Sequence, residues 1–172
     1  MRYYIAYGSN LDLEQMQYRC PTAKAIGTAV LRDHHLLFRG SKTGAYLTVE
    51  PKEGGKVPVA VFSVEPEDEK ALDRYEGYPI FYYKKDLRLP VKPLDGKRSK
   101  KMDCFLYVMH EDRPLGCPSL RYVDVCRRGY DAFGFSHKYL ADAVGESVAA
   151  YCQQNPLRVK TAKVKVVSKT NV

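Results

Sequence analysis

The sequence lacks several features, and each absence excludes a class of protein. No apolar run among the 172 residues approaches the length of a transmembrane helix. The first residues are too polar for a secretory signal peptide, so we expect a cytoplasmic location and no role at a membrane. Internal repeats and low-complexity segments are also missing, and 45% hydrophobic residues is an ordinary globular composition. The length predicts one domain over residues 1–172.

Patterns typical of metal sites and disulfide frameworks are missing as well. The five cysteines are odd in number and scattered, and no two of them form a C-x-x-C pair. His34 and His35 are adjacent, but no third candidate ligand lies near them in the sequence, so we interpret them as part of a polar bend. We therefore expect reduced thiols and no metal.

The positive charge is confined to two stretches. Of the formal net charge of +8, residues 92–101 contribute five basic side chains against Asp95 alone, and residues 156–172 contribute five with no acid. The rest of the chain is close to neutral, so we do not expect the body of the protein to bind nucleic acid. We interpret residues 92–101 as a solvated turn and residues 156–172 as a basic C-terminal extension, with an anionic partner as the alternative.

The beginning of the chain predicts a strand, a tight turn and a helix. Aromatic and β-branched residues alternate from Tyr3 to Tyr7, as in an interior strand. Gly8 can adopt a positive φ and lets another group approach the backbone, and Ser9 or Asn10 can cap the helix that follows. Such a turn directs several backbone N–H groups the same way, which suits an anion or a developing oxyanion. The alternative is an ordinary capped turn.

The remaining pattern predicts an α+β domain, because strands dominate the first two thirds and helices the last third. A hairpin turn is expected at residues 53–56 and a bend at His34 and His35. Helices are expected at residues 66–76, from Ser119 onward and at residues 136–153. Strands are expected at residues 28–31, 36–38, 45–49, 57–64, 80–91 and 103–109, and a final strand or ordered tail after Pro156.

Glu76 is a candidate general base because of its position in the second helix. Gly77 can close that helix in a left-handed conformation, and Pro79 prevents its continuation. The dipole at the helix C-terminus and the surrounding acidic residues should both raise the pKa of Glu76, toward the range useful for proton transfer. The alternative is one more surface acid on an acidic helix.

Two motifs in the sequence resemble signatures of the gamma-glutamylcyclotransferase-like family. They are Y-G-S-N-L at residues 7–11 and L-D-R-Y-E-G at residues 72–77, and a P-S-x-x-Y element at residues 118–122 resembles a third. The resemblance covers about residues 2–144. It implies an α+β fold, a small, partly closed β-barrel of about six strands with flanking helices. It further implies that Glu76 is the catalytic acid/base and that the substrate contacts Tyr7, Gly8, Ser9, Asn10, Leu11, Tyr83 and Tyr122.

The same resemblance implies an activity. A small-molecule γ-glutamyl amine or peptide would be cyclised to 5-oxoproline with release of a free amine, while the amides at residues 8–11 hold the substrate and stabilise the oxyanion. The nucleophile would belong to the substrate, so the resemblance implies that the protein needs no cofactor. One alternative is a non-catalytic domain of the same fold that binds a small molecule or a partner. Another is a Ser9-dependent hydrolase, but the residues around Ser9 are not G-x-S-x-G and no histidine is placed by sequence to activate it.

Overall fold

The protein is described by a computed structural model that covers residues 1–40 and 44–156. Within those residues, five strands close into a barrel and four helices surround it, which confirms the predicted α+β fold class. The strands are β1 Arg2–Ala6, β2 Lys24–Gly40, β3 Ala45–Val64, β4 Tyr82–Pro93 and β5 Lys100–Met109. The helices are α1 Leu13–Arg19, α2 Pro66–Glu76, α3 Leu120–Ala132 and α4 Lys138–Gln154.

The barrel closes through one parallel seam. The strand order is β1-β3-β2-β4-β5, and all neighbours within that order are antiparallel. The two ends of the order meet where Tyr4 of β1 pairs with Phe105 of β5 in parallel. Ile5, Phe38 and Phe105 are fully buried, so the hydrophobic core lies inside this barrel and under its helices.

The predicted bend at His34 and His35 and the predicted hairpin turn at residues 53–56 are both wrong. β2 and β3 are continuous, and their antiparallel pairing runs on to Gly40 opposite Ala45. The register shifts between Arg32 and His34, where Asp33 has a φ of 54° and its carboxylate accepts a hydrogen bond from the amide of Gly54 at 3.0 Å. The glycine-rich segment therefore forms a bulge that bends two long strands around the barrel. The shorter strands predicted from the sequence on either side of it belong to β2 and β3, so the barrel has five strands.

The ends of α2 and the start of α3 follow the sequence signals, whereas the starts of α1 and α4 do not. Glu65 and Asp68 form a capping box at the start of α2, Gly77 closes that helix with a φ of 62°, and the Ser119 side chain caps α3. The cap of α1 is Asp12 because residues 9–11 form a 3-10 helical turn of their own. α4 begins at Lys138, two residues later than predicted, and its N-cap residue is His137.

Two further predictions concern membrane-spanning helices and the C-terminal residues. No helix in the described ranges is both long and apolar enough to cross a membrane. The final strand or tail predicted after Pro156 lies outside the described residues.

Candidate active site

Two adjoining cavities open between the C-terminus of α2, the 9–11 turn and the barrel. Their volumes are about 350 Å³ and about 20 Å³, and both are lined by Ser9, Glu76, Tyr82 and Tyr122. The larger cavity is also lined by Tyr46, Arg74, Tyr75, Gly77, Phe81 and Met109. The smaller, inner cavity is also lined by Tyr4, Tyr7, Gly8, Asn10, Leu47 and Tyr107.

Glu76 is held at the junction of these cavities by the end of α2. The amide of Gly77 donates to Arg74 O, and the amide of Tyr78 donates to Asp73 O, so the helix ends directly after Glu76. The Glu76 carboxylate then faces the turn, and Asn10 Nδ2 donates a hydrogen bond to Glu76 Oε1 at 2.9 Å. The two motifs singled out in the sequence thus meet although Asn10 and Glu76 are 66 positions apart.

The pKa of Glu76 is raised from 4.5 to about 7. The direction agrees with the sequence-based expectation, but the cause differs. Burial of the carboxylate raises the pKa, because an enclosed charge loses its hydration. Arg19 and the hydrogen bond from Asn10 act in the opposite direction and favour the ionised form. Near neutral pH, Glu76 therefore exchanges readily between its carboxylate and its acid form.

Some backbone amides of the turn at residues 9–11 form hydrogen bonds within the turn and are not free to bind a substrate. Leu11 N donates to Gly8 O at 2.9 Å and Asp12 N donates to Ser9 O at 3.2 Å, so these two amides serve the 3-10 turn. The first amides of a helical turn have no partner within it, which leaves those of Ser9 and Asn10 as the candidate donors. Gly8 has a φ of −124° rather than a positive value, but a Cβ there would lie 3.4 Å from the Tyr122 hydroxyl. Gly8 therefore does not form a left-handed turn, and an added Cβ would make ordinary contacts with Tyr122 and Leu47.

Two predicted contact residues lie away from both cavities. Leu11 is fully buried and its atoms pack against Gly129 of α3. The Tyr83 hydroxyl donates to Glu111 at 2.8 Å on the outside of the barrel. Tyr82 lines both cavities instead, because successive residues of a strand point to opposite faces. The other five predicted contact residues, Tyr7, Gly8, Ser9, Asn10 and Tyr122, come together around Glu76.

Tyrosines of the cavity wall are tied to the backbone. The Tyr7 hydroxyl donates to Tyr107 O at 2.6 Å, the Tyr82 hydroxyl donates to Leu47 O at 3.0 Å, and the Tyr122 hydroxyl accepts from Leu47 N at 3.3 Å. Burial raises the pKa of Tyr7, Tyr82 and Tyr122 well above 10, so all three stay protonated at neutral pH. They form a rigid, neutral wall around the Glu76 carboxylate.

Sequence reasoning identified neither Tyr82 nor several other polar residues of this site. Tyr4 accepts a hydrogen bond from Asn10 Nδ2 at 2.8 Å, and Tyr75 shares a 3.1 Å hydrogen bond with Ser9 Oγ. Arg19 Nη1 donates to Asn10 Oδ1 at 2.7 Å, and Arg74 lines the outer cavity. Arg74 and Tyr75 stand next to Glu76 in the sequence, which is a signal of their proximity. Nothing in the local pattern of α1 marks Arg19, since its contact depends on the tertiary fold.

The chain is similar in sequence and fold to known proteins. The profile of the family described as "Gamma-glutamyl cyclotransferase, AIG2-like" matches residues 4–124. A solved structure titled "Gamma-glutamyl cyclotransferase" is similar with a TM-score of 0.69 and 26% identity, covering 83% of this chain and 85% of the other. An uncharacterized protein from Homo sapiens is similar with a TM-score of 0.68, 26% identity and the same coverage.

A third structure extends the likeness in fold alone. YkqA from Bacillus subtilis has a TM-score of 0.64 at 18% identity, over 87% of this chain and 55% of the other. No curated protein sequence matches the chain.

Proposed function

The chain belongs to the gamma-glutamyl cyclotransferase, AIG2-like family, and from that membership we propose that it is an enzyme that converts a γ-glutamyl amine or peptide into 5-oxoproline and a free amine. The observation that carries the proposal is Glu76, a carboxylate enclosed in a cavity, hydrogen-bonded by Asn10 and with a pKa of about 7. The expected cytoplasmic location stays a prediction.

The reaction begins with proton transfer to Glu76. The Glu76 carboxylate takes a proton from the substrate α-amine, and the amine nitrogen attacks the γ-carbonyl carbon of the same molecule. A five-membered ring forms with a negative charge on the former carbonyl oxygen. We assign the amides of Ser9 and Asn10 to this oxyanion, since Leu11 N already donates to Gly8 O.

The reaction ends when Glu76 returns the proton. The bond between the γ-carbon and the leaving nitrogen breaks, the carbonyl re-forms, and Glu76 protonates the departing amine. The nucleophile belongs to the substrate, so the reaction as written needs neither a metal nor a cofactor. Holding the amine against its own carbonyl supplies much of the acceleration. Tyr7, Gly8 and Tyr122 line the inner cavity beside Glu76, while Tyr83 and Leu11 have no direct place in this assignment.

The proposal is tested by replacing Glu76 with glutamine. Glu76→Gln keeps the shape of the side chain and an oxygen that can accept from Asn10, but it does not accept the substrate proton. On a panel of γ-glutamyl amines assayed for 5-oxoproline, turnover should fall by roughly 10²–10⁴-fold. The matched control is Glu67→Gln, which removes an exposed acid from the first turn of the same helix and should leave turnover unchanged.

Two outcomes would contradict the proposal. Near-parental turnover of Glu76→Gln would exclude Glu76 as the base. A parent protein that binds γ-glutamyl amines but releases no 5-oxoproline would favour the non-catalytic binding domain.

A further inference from the structure

Asn10 has every polar atom of its side-chain amide engaged. Its Nδ2 donates to the Tyr4 hydroxyl at 2.8 Å and to Glu76 Oε1 at 2.9 Å. Its Oδ1 accepts from Arg19 Nη1 at 2.7 Å. An arginine has donors only and an ionised carboxylate has acceptors only. The two charged neighbours therefore demand the same orientation of the amide, with its NH₂ toward Glu76.

Arg19 is itself held in place by three contacts. It is the last residue of α1, and its guanidinium lies 3.7 Å from the centre of the Tyr75 ring, in a stacked cation–π contact. Nη2 donates to Gln15 Oε1 on the preceding turn of the helix, while Nη1 points to Asn10. These contacts fix the plane of the guanidinium and hence the direction of its bond to Asn10.

We propose that Arg19 is a positioning residue that locks the Asn10 amide with its NH₂ toward Glu76 throughout the catalytic cycle. The role in turnover rests on the proposed function, whereas the effect on Glu76 itself does not. Arginine keeps its charge at all relevant pH values, so the lock holds whether Glu76 is ionised or protonated.

The consequence for proton transfer follows from what a free amide would do. Once Glu76 carries the substrate proton, a freely rotating Asn10 would turn its oxygen toward that proton and bind it. With Oδ1 committed to Arg19, Asn10 offers Glu76 no acceptor, and the proton stays available for the leaving amine. When Glu76 is ionised, the same NH₂ group and the charge of Arg19 stabilise the carboxylate and oppose the effect of burial.

Other groups that face Glu76 do not share this role. Six tyrosines surround it from the strands and helices packed against it, and the pKa of each is raised so that none ionises near neutral pH: Tyr4, Tyr7, Tyr75, Tyr82, Tyr107 and Tyr122. Arg74 lines the same cavity and keeps a constant charge. Changes in the titration of Glu76 between pH 5 and 9 therefore report on Asn10 and Arg19.

The test uses Arg19→Met, which keeps an apolar stem against Tyr75 and removes the guanidinium. Its control is Arg128→Met, because Arg128 pairs at 2.7 Å with Asp12, the cap of the same helix α1, and contacts neither Asn10 nor Glu76. Glu76 is titrated directly by NMR of ¹³C-labelled glutamate carboxyl groups, and its resonance is identified by its loss in Glu76→Gln. The second readout is the pH dependence of kcat/KM for 5-oxoproline formation.

In Arg19→Met, the pKa of Glu76 should rise by about one unit, the size expected for loss of a nearby opposite charge. The acidic limb of the pH profile of kcat/KM should shift to higher pH by the same amount. On the alkaline plateau kcat should fall about tenfold, because a free Asn10 amide then competes with the leaving amine for the proton on Glu76. Arg19→Lys, which keeps a cation and a donor for Asn10 Oδ1, should restore most of both properties. Arg128→Met should lower the melting temperature without moving the Glu76 titration.

The inference is overturned if folded Arg19→Met titrates at Glu76 as the parent does, or if Arg128→Met shifts that titration equally. If Arg19→Met does not fold, Arg19→Lys tests the inference instead. A parental Glu76 titration in Arg19→Lys supports the positioning role of Arg19. A pKa of Glu76 that is raised as far in Arg19→Lys as in Asn10→Leu overturns it. The titration gives its answer even if no γ-glutamyl amine is turned over, so failure of the proposed function is distinguished from failure of this inference.

Discussion

Gly129 of α3 lies directly against Leu11 at the end of the site turn. A Cβ on Gly129 would stand 2.4 Å from Leu11 Cβ and 2.7 Å from the backbone nitrogen of Asp12. Both neighbours are held in place, since Leu11 is fully buried and Asp12 caps α1. The turn that carries Ser9 and Asn10 therefore packs directly against the backbone of α3 at Gly129.

Gly129→Ala should destabilise the protein by about 1–3 kcal/mol, the usual cost of forcing a methyl group into a packed interior. The matched control is Gly145→Ala in the middle of α4, where an added Cβ meets nothing within 4 Å. That change should stabilise by roughly 0.5–1 kcal/mol, because alanine is the better helix former. Chemical denaturation of both variants measures the difference, and two changes of equal sign would contradict the packing argument.

The raised pKa of Glu76 predicts how the free energy of unfolding depends on pH. A carboxyl group whose pKa is higher in the folded state than in the unfolded chain favours folding while it is protonated. That contribution is fully present below pH 4.5 and is lost as the pH rises through about 7. A shift from 4.5 to about 7 corresponds to at most ~3 kcal/mol.

Glu76→Gln should therefore be more stable than the parent at pH 8, and the advantage should disappear near pH 4.5. Thermal melting of both proteins across this range is the measurement. Glu67→Gln, which changes an exposed acid, should show no such pH-dependent gain. An advantage of Glu76→Gln that stays constant from pH 4.5 to pH 8 would mean that the carboxylate is not penalised by burial.

Ser9 should contact substrate without becoming covalently bound to it. Its hydroxyl is paired with the Tyr75 hydroxyl at 3.1 Å, and no histidine is found among the described residues that line the two cavities. Without a base beside it, a serine hydroxyl is a weak nucleophile. A serine-directed fluorophosphonate should leave Ser9 unmodified, and Ser9→Ala should retain measurable turnover. Stoichiometric labelling at Ser9 would replace the cyclisation mechanism with a hydrolase.

Arg74 should select leaving amines that carry a carboxylate. It is the one cation among the described residues lining the outer cavity, and in the ranges 1–40 and 44–156 no acidic side chain forms an ion pair with it. Arg74→Gln should raise KM about tenfold for a γ-glutamyl-α-amino acid, the size of one charge-assisted hydrogen bond. KM for a γ-glutamyl alkylamine without a carboxylate should stay unchanged. Equal changes for both substrates would argue against this selectivity.

The parts of the fold that local chemistry determines were predictable from the sequence. Pro66 and the acidic first turn of α2, the left-handed Gly77 and the Ser119 cap all lie where the residue pattern placed them. The hairpin expected at residues 53–56 was wrong because glycine serves a bulge as readily as a turn. Local sequence does not distinguish the two, since the difference depends on whether the partner strand continues past Asp33.

The candidate site was predictable only where a motif marked it. Glu76 and Asn10 were singled out by resemblance, and the structure brings them to 2.9 Å. Arg19 was not, because its contact with Asn10 depends on how α1 packs and not on any spacing in α1. The choice between Tyr82 and Tyr83 depended on which face of β4 turns inward, and that is set by its pairing with β5.

The seam between β1 and β5 has a consequence for how the protein reaches its native state. Tyr4 and Phe105 are separated by most of the chain, so closing this seam carries a large loop entropy and should come late in folding. Tyr4 is also the residue whose hydroxyl meets Asn10 beside Glu76. A chain with the long β2–β3 hairpin formed but the barrel still open would hold much native hydrogen bonding and no assembled binding site. In refolding experiments, protection of β2 and β3 amides from exchange should therefore precede the recovery of ligand binding.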